Sequence, residues 1–526
     1  MKIAIAQLNY TIGDVDGNTS KIIDSINKAK VQHADLVIFA EQAVSGTPAL
    51  DLLRKTTFLE LCEDALVEIA SCCEGIAAIV GLPILTADGT ISAAALIQER
   101  KVLRYIGKKH ITARREMGFL IPSKGYEYAT IKGHKCVIIV GDDLSHERDF
   151  DKSVETIISI NARKYGKGTM THRYEMMRNM SFVEGKNIVQ VNQVGGATDL
   201  VYDGTSGAFN NRGELVMMLK NFQEDFKIFD TNHSGEPVVV PSTYNDRTRM
   251  VYEAACCGLR DFFHKNDYKK ACIGLSGGID SAVVACMAVD ALGSKNVRAL
   301  LMPSPFSSDH SVEDAKALAD KLGIDYNVIP ISEIYNSVVN TLKPVIGGRQ
   351  FDATEENIQT RIRTILLMAL QNKTDYILLN ASNKSENALG LCTLYGDTAG
   401  AFSPTGDLYK SEMYDVARYI NRLHDNLIPE NILDKAPSSE LHPGQKDSDI
   451  LPPYEVVDAI LFRMIEEGQH REEIINAGFD STVVEKIHAM IMRNEKKRYQ
   501  FPPVLRLSMC SFGHERLMPL TNKYGD

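Results

Sequence analysis

Between residues 271 and 380 short apolar runs alternate with helical stretches, and that repetition constrains the fold more than anything else in the chain. Strands are expected at residues 271–275, 297–303, 326–331 and 375–380. Helices are expected from residue 281, over 311–322 and over 354–371, with a turn and another helix after 380. Repeated strand–helix–strand units predict a doubly wound parallel sheet. Ligands of such sheets sit at the carboxyl ends of the strands, so chemistry is sought there.

The first half has a different texture. Apolar runs at residues 2–8, 35–40, 76–82, 135–140 and 187–191 are separated by helical or polar stretches. Ile22, Ile23, Ile26 and Ala29 share a helical face, with Asn18 as the expected N-cap. Residues 93–105 read as a strand pair. A mixed α/β layered domain is expected to end near 237–241, with a polar linker over 231–241 and a helix over 246–263. At 526 residues the chain is too long for one core, and we divide it into domains at 1–241 and 242–526. Its formal net charge of -10 argues against a non-specific nucleic-acid binder. The 10 cysteines show no zinc spacing and suit a reducing compartment, so a cytoplasmic location is expected. The longest apolar run, 282–289, is too short to cross a membrane, and the first ten residues lack the apolar core of a signal peptide.

The most specific string is Gly274-Leu275-Ser276-Gly277-Gly278-Ile279-Asp280-Ser281, lying between a strand and a helix. Gly277 and Gly278 let main-chain N–H groups approach an anion, and the helix N-terminus adds positive potential. Ser276 and Ser281 supply hydroxyls. Asp280 would repel a bare phosphate and makes sense beside Mg²⁺. No Walker lysine comes after it, which excludes a kinase-type P-loop. A structural glycine turn is the bland alternative, and the full string argues against it.

This string resembles the pyrophosphatase loop of ATP enzymes that adenylate a carbonyl or carboxyl oxygen. Taken with the segments around it, over residues 246–513, it resembles the NAD synthase family specifically. The segment 356–363 opens a helix, and the resemblance implies that Asn357 and Arg361 contact deamido-NAD. The segment 380–386 implies Glu386 as partner of Asp280 in holding Mg²⁺ or substrate, with Ala381 where the family often carries threonine beside ATP. Asp397 is assigned to deamido-NAD, and Lys410, in Asp407-Leu408-Tyr409-Lys410, to the ATP phosphates. Ser438, in the segment 435–441, is assigned to ATP, and the basic run at Lys496 and Lys497 to the deamido-NAD phosphates. The implied reaction uses ATP and Mg²⁺ to amidate deamido-NAD, releasing AMP and pyrophosphate. A tRNA-modifying enzyme with the same loop is a remote alternative, disfavoured by the acidic charge and the lack of sulfur-transfer or zinc motifs. A non-catalytic nucleotide-binding scaffold is disfavoured by the paired acids. A homo-oligomer without nucleic-acid or membrane partners is expected.

The first domain resembles the nitrilase-like amidase that precedes the synthase in glutamine-dependent members, an αββα sandwich. That family uses a Glu–Lys–Cys triad. Glu41 matches the base, Lys108 the lysine, and Glu116 a second acid after a shortened loop. Gly141 stands at the nucleophile position. Cys136 lies five residues upstream, at an odd offset and roughly 16 Å away along a strand. The family's glutamine-binding run reads Ala197-Thr198-Asp199 here. These departures imply an inert amidase, free ammonia as the nitrogen donor, and a structural role for Glu41 and Lys108. A glutamine-hydrolysing enzyme with another nucleophile is the alternative.

Overall fold

The computed structural model describes residues 1–232, 236–242 and 246–523. The chain divides into two compact units, Met1–Asn245 and Asp246–Asp526. Part of the expected linker, 233–235, lies outside the described residues.

In the first unit one six-stranded sheet runs, edge to edge, through Asp225–Asp230, Lys2–Gln7, Leu36–Ile38, Ala77–Leu85, Thr90–Gln98 and Lys101–Gly107. A second runs through Leu215–Met218, Gly207–Phe209, Asn187–Asn192, Thr156–Asn161, His134–Val140 and Glu127–Ile131. Strand alternation explains how they stack. Ile3, Ile5, Ile38 and Ile79 face Ile138, Val140, Ile158 and Val191 in one core between the sheets. Ala4, Ala6, Val37 and Val80 point the other way, onto helices α1 (Val15–Val31) and α2 (Thr56–Ser71). Val137, Ile139 and Ile157 pack on α3 (Thr169–Glu184). The result is the expected sandwich of helix, sheet, sheet and helix. Helix α1 begins earlier than expected. Asp14 caps it by accepting from the Gly17 N–H, while Asn18 is buried inside, bridging the Thr11 main chain and the Val44 carbonyl.

The second unit carries a four-stranded parallel sheet ordered Asp325–Val328, Val297–Leu301, Lys270–Gly274, Tyr376–Leu378. Helices α4 (Arg247–Lys265), α5 (Ile279–Leu292), α6 (Asp309–Leu322), α7 (Ser332–Ile346) and α8 (Ala353–Lys373) connect or flank it. Then come α9 (Lys384–Leu389) and α10 (Lys410–Leu423). The strand–helix alternation is as expected, with strand ends trimmed: 326–331 becomes Asp325–Val328. Helix α7 was not expected. It buries only Tyr335 and carries Pro344 in its last turn, a residue that reads as a breaker.

Candidate functional site

The strand Lys270–Gly274 delivers the chain into a tight loop at its carboxyl end. Leu275 still donates to the Leu300 carbonyl, at 3.0 Å. Gly277 then takes φ +80, and a Cβ there would lie 2.1 Å from the Ser311 carbonyl oxygen. No other residue fits both the conformation and the space. Ser276 and Ser281 hydroxyls lie 3.1 Å apart, and the Gly278 N–H donates to Ser276 Oγ at 3.1 Å. The loop thus closes on itself through hydroxyls, with Ile279 buried at the start of α5.

Asp280, in the first turn of α5, meets Lys410, first residue of α10, at 2.5 Å. The same ammonium reaches Glu386 of α9 at 3.1 Å. Three residues spread over 130 positions therefore form one charge cluster. Burial opposes the charge on Lys410, yet the two carboxylates hold its ammonium well above its usual range. Burial and the neighbouring Asp280 push the Glu386 carboxyl up to about 7. Two carboxylates plus substrate phosphates and water are a usual Mg²⁺ environment. The ammonium lying between them shows that the spot accepts a cation. Among the described residues no group of three side chains forms a metal cluster, so a metal here would depend on the phosphates.

Residues without a role in the sequence-based reading complete this site. Asn383 donates to Asp280 at 3.0 Å and caps α9 by accepting from the Glu386 N–H. Asp458 accepts from Ser385 and from the Ser411 N–H, which fixes α9 against the start of α10. Tyr454 lies under the Lys410 ammonium, 5.7 Å from ring centre to nitrogen. Asn383 belongs to the recognisable segment 380–386; Asp458 has no local signal.

Helix α8 lays Asn357 against Thr393, with a 2.7 Å bond from the hydroxyl, and the exposed Arg361 against the Leu394 carbonyl, at 3.2 Å. Asp397 accepts the Thr393 N–H at 2.7 Å, so Asn357, Arg361 and Asp397 share one locality. Ala381 comes after the strand Tyr376–Leu378, in the loop to α9. Ser438 donates to the Gln445 carbonyl at 2.6 Å within its own exposed loop. The basic run also binds this chain's own backbone. Lys497 spends its ammonium on the Gly390 and Cys392 carbonyls, at 2.7 and 2.8 Å. Arg498 is buried on the Asn387 and Ala388 carbonyls. The short loop after α9 exposes carbonyls that these cations satisfy. Lys496 alone of the three is exposed.

In the first unit Glu41, Lys108 and Glu116 come together. Lys108 Nζ lies 3.2 Å from Glu41 and 2.9 Å from Glu116, and Ser92 donates to Glu41 at 2.8 Å. Gly141 heads the turn Gly141–Ser145 after the strand His134–Val140, with φ +62. A Cβ on it would lie 2.6 Å from Lys108 Cε and 2.8 Å from Glu41 Oε2. Position 141 therefore points into the charge cluster, in the backbone conformation a nucleophile elbow uses. Cys136 faces the core between the sheets, where burial pushes its thiol up to about 12. The run 197–199 forms the turn of the hairpin Val194–Ala197 and Leu200–Asp203, tied down by Arg115, which pairs with Asp199 and bonds Thr198.

Lys108 is the sole cation among three members of that cluster, so Lys108→Met should destabilise the protein by about 3–5 kcal/mol. Burial, then Glu41, already pushes the Glu116 carboxyl up to about 7. A carboxyl raised in the folded state contributes stability below its unfolded value and loses it as pH rises through the folded one. Without the ammonium, which holds it down, the Glu116 carboxyl rises further. Denaturant melts should show the deficit growing from about pH 5 to about pH 8. A deficit independent of pH would refute the charge assignment.

Two family profiles divide the chain as the geometry does: one described as carbon-nitrogen hydrolase matches residues 2–233, and one described as NAD synthase matches residues 251–501. The glutamine-dependent NAD(+) synthetase of Aquifex aeolicus is 38% identical over 568 residues, covering 100% of both chains. That of Acinetobacter baylyi is 36% identical over 532 residues, covering 99% of this chain and 98% of its own. The solved glutamine-dependent NAD+ synthetase of Acinetobacter baumannii, in complex with ADP, is 35% identical with a TM-score of 0.78, over 99% of this chain and 98% of that one. A Cytophaga hutchinsonii structure, 20% identical with a TM-score of 0.88, shares the fold over 99% of this chain and 98% of its own. The chain belongs to the NAD synthase family, ATP-dependent carbon–nitrogen ligases, in the two-part form that places a nitrilase-like carbon-nitrogen hydrolase unit ahead of the synthase unit.

Proposed function

We propose that the second unit amidates deamido-NAD. A nicotinate carboxylate oxygen attacks the α-phosphorus of ATP, pyrophosphate leaves, and ammonia attacks the acyl carbon, expelling AMP and giving up a proton. The observation that carries this reading is the cluster of Asp280, Glu386 and Lys410 beside the Gly277 loop. The loop hydroxyls and the N-terminus of α5 suit the leaving pyrophosphate. Lys410 is a cation positioned to neutralise phosphate oxygens, and the flank bearing Asn357, Arg361 and Asp397 suits the dinucleotide. Mg²⁺ held by Asp280 and Glu386 would supply further charge neutralisation on the triphosphate. Incubation with deamido-NAD, ATP, Mg²⁺ and ammonium should give NAD, AMP and pyrophosphate in equal amounts. Formation of ADP and phosphate instead would overturn the reading.

For the nitrogen donor we favour free ammonia, because residue 141 is glycine and Lys108 closes over it. A second reading, glutamine hydrolysis by the first unit, has the support of the relatives' names, which are glutamine-dependent and do not support ammonia. It needs a nucleophile other than residue 141. Ten free cysteines are consistent with the cytoplasm, and among the described residues no helix is long and apolar enough to cross a membrane. We further propose a homo-oligomer, which light scattering would test.

A further inference from the structure

Among the described residues, the fully buried cations of the second unit are matched by acids. Lys384 pairs with Asp407 at 3.0 Å, Lys410 with Asp280, Arg498 with Glu495 at 2.6 Å, and Arg506 with Glu515. Lys435, half-buried, pairs with Asp314 at 3.3 Å. Arg363, half-buried on α8, has no such acid. Its Nε donates to the Met302 carbonyl at 3.0 Å, and among the described residues no carboxylate reaches its guanidinium at ion-pair distance. Glu440 and Asp397 face it from farther off. Burial lowers its pKa to about 10, so the fold withholds water from this charge without supplying a partner.

Its place says what the missing partner is. Met302 comes directly after the strand Val297–Leu301. One turn further along α8, Leu367 Cδ1 lies 3.3 Å from where a Cβ on Gly274 would be. Arg363 therefore stands over the carboxyl ends of the two central strands, beside the loop that starts at Gly274. Arg361 is two residues away, about 200° around the helix, and serves the other flank, at Leu394. An unpaired guanidinium with two terminal nitrogens suits a phosphate, which it can hold in a bidentate grip.

We infer that Arg363 binds a phosphate oxygen of ATP and retains it on the pyrophosphate product. This rests on the proposed synthase reaction. The test compares full-length wild type with Arg363→Met and Arg363→Lys. In Arg363→Met, KM for ATP should rise about tenfold or more, and pyrophosphate should lose a similar factor as a product inhibitor. KM for deamido-NAD should stay within about twofold, and Arg363→Lys should recover part of the loss. The ligand-free Tm of Arg363→Met should equal or exceed that of wild type, because an uncompensated charge has been removed. A lower Tm with unchanged ATP and pyrophosphate affinities would make Arg363 structural. A rise in KM for deamido-NAD alone would assign it to the wrong anion. Pyrophosphate-induced thermal shifts are read without deamido-NAD. They test Arg363 even if wild type makes no NAD, an outcome that would refute the proposed reaction instead.

Discussion

Asp280→Asn is expected to lower NAD formation about 10³-fold or more, the equivalent of about 4 kcal/mol of transition-state stabilisation. Asparagine keeps the size of the side chain and a carbonyl oxygen for the Asn383 amide, which lies 3.0 Å away in the native protein. What it removes is one of two negative charges around Lys410. Under the proposed Mg²⁺ assignment, one of the two carboxylates that would hold the ion is gone. Lys410 also swings its charge wholly onto Glu386, 3.1 Å away, instead of sharing it. Both effects misplace the positive charge that the departing pyrophosphate needs. Folding should be little affected, since Lys410 keeps one acid and the loop hydroxyls are untouched. Raising Mg²⁺ should recover only a fraction of the activity. Turnover within about tenfold of wild type would show that the charge of Asp280 is not used.

How much of this site was legible depended on how local its causes are. The loop from Gly274 to Ser281 was readable because its geometry is set within eight residues, and the clash of a Cβ at Gly277 with Ser311 only adds a reason. Lys410 and Glu386 were readable as members of family strings, but their contact with Asp280 is a product of three helix starts converging. Asp458 was invisible: its role in joining Ser385 to Ser411 is defined wholly by tertiary placement. Lys497 shows what a residue string leaves out. A basic run looks free on paper, yet carbonyls left over after α9 claim it. Arg363 lies within the recognisable segment 356–363 but carries no signal of its own, because an arginine without a partner stands out only once every neighbouring acid has a place. In the fold, Asn18 was misread as a cap because the true one, Asp14, precedes the apolar face by two turns. The face-to-face packing of the two sheets was expected from the resemblance; residue alternation explains it afterwards.

The second large effect concerns glutamine. With glutamine as sole nitrogen source in ammonia-free buffer, NAD formation is expected to be at least about 10³-fold slower than with ammonium. Amide capture needs a thiolate at the elbow, and Gly141 has no side chain. Glu41 then has no thiol to deprotonate and Lys108 no tetrahedral oxyanion to stabilise; triad members act as a unit, so the survivors retain little. The geometry also says what restoring the residue would do. In Gly141→Cys the new Cβ would meet Lys108 Cε at 2.6 Å, so the lysine must retreat from Glu41 and Glu116. A side chain at φ +62 adds strain of about 1–3 kcal/mol. Gly141→Cys should therefore melt below wild type. It should react with iodoacetamide where wild type, whose Cys136 is buried, does not react at this site. It should still fall short of full glutaminase activity, because the turn at 197–199 is held by Arg115 rather than shaped for glutamine. If unmodified protein turns over glutamine as fast as ammonium, the second reading holds, and the nucleophile lies somewhere other than the strand end that carries Gly141.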